Sequence, residues 1–298
     1  MFNVVKNFKK ILILPALVFI AGIVFGIING GFATDINFAG GTEITIDMEK
    51  EFSVDEVKSV VKDTLGFDAD MVQTATDETA QYQVVIKTKT LDADQRDGLY
   101  NAIKEKFALT KDKSESLIKA DSITPLISSE IVYNALLAVA IASILILIYI
   151  TIRFTFTSGI AAIVMLLHDV LFMICVYLIL NIPVNDSFIA SILTIIGYSI
   201  NNTIVVFDRI RENKKFAKKE TFGEICEKSI WQTARRTINT SGTTLVTLIV
   251  LAILGEDSIR QFVIPLIIGV IAGTYSSLFM AAPTWNLLEG GNKKQKKA

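Results

Sequence analysis

One histidine, His168, and two cysteines, Cys175 and Cys226, are all that 298 residues offer as imidazole or thiol ligands. Their scatter excludes a zinc-ligand set and a disulfide framework. The cysteines, one inside an apolar run and one in a basic stretch, read as free thiols. With its only histidine in apolar sequence, the chain has no nucleophile backed by a histidine base, and no glycine-rich loop cradles phosphate. "FAGGTE" is a turn signal that opens a strand. We therefore expect neither an enzyme nor a resident metal or cofactor. Charge is sparse too, at 20% of residues, and the net value of -1 conceals acids and bases held in different segments.

Apolar residues are abundant, at 51%. The chain is too hydrophobic for an ordinary soluble domain and too charged to be membrane throughout. Crossing about 30 Å of hydrocarbon takes about 20 residues, and six runs approach that length: 11–30, 132–152, 159–180, 188–207, 240–254 and 262–285. The fifth needs 237–241 to reach full length and is partly polar. The first follows Lys6, Lys9 and Lys10 but is longer than the apolar region of a signal peptide, so it reads as a span.

Basic residues in short loops mark the cytoplasmic side. Lys6, Lys9 and Lys10, then Arg153, then the set from Arg209 to Arg236, then Lys293, Lys294, Lys296 and Lys297 fall in alternate connections. The intervening turns hold Asp186, Glu256 and Asp257 against Arg260. This pattern places both termini in the cytoplasm and the long segment after the first span outside. The basic run "RIRENKKFAKKE" sets topology and meets lipid headgroups, with no nucleic acid implied.

The outer segment, 34–128, has the size of one small domain. "TEITIDM" alternates as a strand. Ser53 is the expected cap of "SVDEVKSVVKDTLG", whose Val54, Val57, Val60 and Val61 share a face and which ends at Gly66. "ADMVQTAT" and "AQYQVVIKT" are strands joined by a polar "DE" turn, "DADQRDGLYNAIKEKF" is a second helix and "SESLIKADSI" a last strand. The order βαββαβ is ferredoxin-like. Acids exceed bases here by about eight, which disfavours a highly anionic partner. The expected architecture is an α-helical membrane protein of six transmembrane helices with a small α+β ferredoxin-like extracytoplasmic domain. Its parts are a tail and first span at 1–33, the outer domain at 34–128, five further helices at 129–286 and a basic cytoplasmic tail at 287–298.

Polar groups inside a bilayer are costly and face other helices or water. On the fourth span Thr194, Tyr198, Asn201 or Asn202, and Asp208 recur at three- and four-residue spacing. The fifth carries Arg236, Thr240, Thr243, Thr244 and Thr247, and two polar stripes are expected to meet. They serve either as interhelical hydrogen-bond contacts or as an ion-coupling site. The third span holds His168 and Asp169. An ionised carboxylate there costs about 3 kcal/mol on insertion scales, so Asp169 is either hydrogen-bonded to a neighbouring helix or carries a proton. His168 is satisfied by a carbonyl or by Asp169. Gly22, Gly26 and Gly30 on the first span, and Gly269, Gly273, Ser277 and Ala281 on the sixth, are expected packing seams.

"INFAGGTEI", "LLHDV", "SILTIIGYSINNTIVVFDRIREN", "RRTINTSGTT" and "IIGVIAGTYSSLFMAAP" together resemble the SecF family over nearly the whole chain. The resemblance implies the six-helix half of an RND-type transporter, paired with SecD and cooperating with the Sec translocon. Its implied work is to assist export of unfolded polypeptide across the cytoplasmic membrane on the proton motive force, with protons passing between SecD and SecF helices. At the position of the family's usual fourth-span aspartate stands Asn202, which cannot exchange a proton near neutral pH. Three arrangements follow: the partner's carboxylate carries the load, which we favour, Asp169 substitutes, or Asn202 helps ligate a cation such as Na⁺. Arg236 matches the family's fifth-span arginine, and Asn37 replaces the usual aspartate of the outer glycine motif. Competing readings are a small-molecule transporter half of the same superfamily and a structural clamp for SecD without ion coupling.

Overall fold

The computed structural model describes residues 3–76, 82–123, 125–153, 155–217 and 219–290. The turn expected at Asp77 and Glu78, the four lysines of the tail and the side chains of Asn37, Arg153 and Asp257 lie outside what is described. Six helices are long and apolar enough to cross a bilayer: Phe8–Ile28, Val132–Ile152, Phe156–Leu180, Asp186–Phe216, Phe222–Leu254 and Ile259–Leu288. They are the first to sixth spans below.

The fourth and fifth spans outrun the expected limits. At 1.5 Å per residue, their 31 and 33 residues reach about 46 and 50 Å, well past the hydrocarbon. The fifth begins at Phe222 rather than near 240. Charged residues dilute its hydropathy, yet Phe222, Ile225, Cys226, Ser229, Ile230, Thr233, Ala234, Thr237 and Ser241 continue one buried stripe through the polar stretch. Thr221 and Glu224 close its start with a capping box, each side chain accepting from the other's backbone N–H.

The fourth span sits at the centre, burying Phe188, Ile192, Ile195, Ile196, Val206 and Phe207 against the third, fifth and sixth. Close approach depends on glycine. A Cβ on Gly269 would lie 2.4 Å from Ile195 Cγ1, and one on Gly22 of the first span 2.5 Å from Cys175 Cβ on the third. Gly26 meets Leu178 at an ordinary 3.4 Å. Gly30 is not part of that seam: at φ +76° it turns the chain out of the helix, where a side chain is strained. The first and second spans bury little and present apolar faces outward, as a bilayer or partner requires.

The outer domain is an antiparallel sheet in the order β2-β3-β1-β4, with β1 Gly41–Asp47, β2 Met71–Thr76, β3 Tyr82–Thr88 and β4 Leu117–Ile123. The order and the βαββαβ sequence are ferredoxin-like. Helices α1 (Val54–Leu65) and α2 (Ala93–Phe107) contribute Val57, Val61, Leu99 and Ile103 to a core completed by the cross-strand pairs Ile44/Ile86 and Ile46/Val84. Gly66 ends α1 with left-handed backbone. Ser53 makes no side-chain cap bond, contrary to its sequence signal; Asp55 and Glu56 supply first-turn negative charge instead. Asp92 does cap α2, with a full capping box to Gln95. The last strand starts later than expected because residues 113–116 close into a helical turn.

Hydrogen bonds tie the domain to the bundle, and Ile36–Ala39 packs on the second span. Thr34 pairs with Val184, and Asp35 N–H donates to Val184 O at 2.9 Å. Gln261, at the outer end of the sixth span, donates to Gln73 Oε1 at 2.9 Å and accepts from Asn185 Nδ2 at 2.8 Å. Asp35 also receives Lys87 Nζ at 2.7 Å, in an almost fully buried ion pair.

An open polar groove and a buried carboxylate as the candidate functional site

Successive residues on a helix diverge by about 100°, so the adjacent asparagines of the fourth span face different surroundings. Asn201 is exposed and lines a groove of about 510 Å³ with Ile204, Val205, Asp208, Thr233 and Arg236. Asn202 is 4% exposed and points inward, its Nδ2 without a hydrogen-bond partner. Arg236 therefore shares the groove with Asn201 and Asp208, while Asn202 belongs to the interior. Arg209 lies at the end of the groove away from the sheet domain, donating to Gln232 Oε1 at 2.6 Å and to Glu212 at 2.6 Å.

The expected meeting of polar stripes is corrected in part. Tyr198 does cross, donating to Ser241 Oγ at 3.2 Å, and Ser241 also accepts from Thr274 of the sixth span at 2.7 Å. Thr240, Thr243, Thr244 and Thr247 do not. Each hydroxyl donates to its own helix three or four residues back, for example Thr240 to Arg236 O at 3.0 Å, and the stripe lies along the bundle's open side. Such back-bonding satisfies a hydroxyl locally, so no second helix of this chain is required. Thr194, Gly197 and Asn201 of the fourth span are exposed as well. A bilayer-spanning surface of this kind is poor as a lipid contact and suited to another helix.

A second polar centre lies inside. Asp169, 1% exposed, accepts on Oδ2 from Ser199 of the fourth span at 2.5 Å and Ser276 of the sixth at 2.9 Å, and its Oδ1 is hydrogen-bonded with His168 Nδ1 at 2.9 Å. A buried carboxylate needs such donors. Ser276 opens a π-helical turn, Ser276–Met280, in which Ser276 and Ser277 hydroxyls both reach Gly273 O. Thr203 and Ser277 hydroxyls pair nearby at 3.2 Å. His168 packs on Phe19 of the first span and on Phe172. Neither Ser199 nor Ser276 stood out in the sequence, since a serine in a span reads as packing. The usable signal was the carboxylate itself, which demands donors at its own depth.

The SecD/SecF C-terminal family of protein export membrane proteins matches residues 102–290. A protein translocase subunit SecF from Sebaldella termitidis is 36% identical over 273 residues, covering 91% of this chain and 87% of its own. The chain belongs to the SecF family. Its match to the longer SecDF of Bacillus subtilis is 37% identical, covering 97% of this chain and 38% of that one. The crystal structure of SecDF from Thermus thermophilus, described as a translocon-associated membrane protein, superposes with a TM-score of 0.75 at 31% identity over 95% of this chain. This SecF chain spans 38% of that structure and is thus the counterpart of one part of it. The ferredoxin-like outer sheet and six-span bundle accordingly belong to a known multi-pass architecture.

Proposed function

We propose that this SecF chain pairs with SecD across the open polar side of its fourth and fifth spans, and in that complex assists Sec-dependent export of unfolded polypeptide. The observation that carries the reading is the polar, exposed character of that side. Arg236, Asn201 and Asp208 line a groove between long apolar helices, beside a threonine stripe that, among the described residues, is left largely exposed. An arginine at membrane depth calls for an acid or a water-filled path. Placed at the partner boundary, Arg236 would set the charge around a carboxylate from SecD, and the ion gradient would act on that carboxylate.

The work is non-enzymatic, the membrane is the cytoplasmic one, and the basic connections put both termini in the cytoplasm. Fused SecDF relatives support SecD as partner, and their printed names and title support translocation and the translocon as the setting. Arg236→Gln in the assembled complex should abolish gradient-stimulated export while assembly persists. Unchanged export would refute the role of the groove. A clamp reading, in which this subunit only braces SecD, is favoured by the amide at Asn202. Proton flux in vesicles holding the complex separates the two: a clamp conducts the same with Arg236→Gln.

A further inference from the structure

We propose that His168 and Asp169 form a proton-binding pair inside this chain, with the proton taken up at Nε2 of His168. The pair is remote from the groove in chemistry and exposure. Asp169 and His168 are 1% and 7% exposed. Its surroundings are nearly neutral on every side. Ser199 faces it from the fourth span, Ser276 and Gly273 from the sixth, Phe19 from the first and Phe172 from its own helix. Among the described residues, no lysine, arginine, glutamate or other aspartate is buried in the spans. The other ionisable side chains on the third span are engaged elsewhere: Cys175 against Gly22 and Tyr177 against Phe188.

The hydrogen bonding fixes where a proton can add. Ser199 and Ser276 donate to Oδ2, which leaves Oδ1 to His168 Nδ1 at 2.9 Å. A bare Nδ1 against a carboxylate oxygen would set two lone pairs face to face, so a proton occupies that bond. In the deprotonated pair the imidazole is therefore the Nδ1–H tautomer, and Nε2 is bare. Nε2 is buried and has no hydrogen-bond partner. Uptake of one proton produces an imidazolium beside a carboxylate, or a neutral imidazole beside a carboxylic acid, according to where the shared proton sits. Both forms carry hydrogen on Nε2, and both change the pair's net charge from -1 to 0.

The consequence reaches the sixth span. Ser276 has two acceptors, Asp169 Oδ2 at 2.9 Å and Gly273 O at 3.2 Å. Neutralising the pair weakens the first and leaves the second. That exchange lies at the first residue of the π-helical turn, a local irregularity common at functional sites. Proton binding thereby biases the packing of the third and sixth spans.

One histidine per chain makes the test direct. The full chain, labelled with ¹⁵N-histidine in lipid nanodiscs, gives a single imidazole pattern. We expect Nδ1 protonated and Nε2 bare at high pH, and Nε2 protonated at low pH through a one-proton step. Asp169→Asn should lower the midpoint by at least about one pH unit, a tenfold loss of proton affinity, because the imidazolium loses its counter-charge. Should that variant fail to fold, Ser276→Ala should raise the midpoint, since the carboxylate loses a donor. A single protonation state across the whole pH range in which the chain stays folded would overturn the proposal. So would a midpoint that neither variant moves. The titration needs neither SecD nor export, so its failure leaves the pairing reading standing.

Discussion

Gly269→Ala adds one methyl at the tightest point between the central fourth span and the sixth. The new Cβ would lie 2.4 Å from Ile195 Cγ1 and 2.9 Å from both Cδ1 and Cγ2. Three carbons of one β-branched side chain are thus too close, and a stiff χ1 offers Ile195 little escape. Overpacking of this kind costs about 1–3 kcal/mol, against at most about 1 kcal/mol of helix propensity gained from alanine. We expect a net loss of about 1–2 kcal/mol. Gly26→Ala is the matched control, because its Cβ would meet Leu178 at 3.4 Å, ordinary contact with the ends of a flexible side chain. Reversible unfolding of the full chain in mixed micelles reads both. Ile195→Ala combined with Gly269→Ala should recover part of the loss by non-additivity. Equal stability of the two glycine variants would refute the argument that glycine here is demanded by backbone approach.

Asp35→Ala should destabilise the outer domain by about 3 kcal/mol, since it leaves Lys87 buried with only Glu43, at 3.6 Å, and also deletes the Oδ1 bond to Ile36 N–H. Asp35→Asn should lose less, and chemical denaturation measures the difference. The Glu49 carboxyl is held below its ordinary value of 4.5 by the Thr110 hydroxyl and then by the Lys111 and Thr110 N–H groups. A depressed folded-state value means stabilisation that is complete above the ordinary value and lost as pH falls through the folded one. Amide-exchange protection at Thr110 and Lys111 should therefore fall below pH 4.5, and Glu49→Gln should abolish that step.

All six spans and the ferredoxin-like order were legible because length, hydropathy and alternation act locally. The start of the fifth span was not. Hydropathy averages over all faces of a helix, so Arg235, Arg236 and Lys228 masked a buried stripe that continues to Phe222. The asparagine pair was legible as a polar anomaly, whereas its division between groove and interior required knowing which side of the fourth span faces the third and sixth. The threonine stripe misled for a related reason. Spacing shows that hydroxyls share a face, but it does not show that each is already satisfied by its own helix. Asp169 could be recognised as needing partners. Ser199 and Ser276 could be assigned to it only when three helices were brought together.

Site-directed crosslinking in membranes tests the central claim most directly. Single cysteines at Thr194, Asn201, Thr243 and Thr247, in a background lacking the buried Cys175 and Cys226, should capture SecD. Cysteines at the interior positions Thr203 and Ser277 should not. Capture from the interior set, or reaction of the exposed set with lipid-soluble reagents alone and no adduct with SecD, would contradict the account.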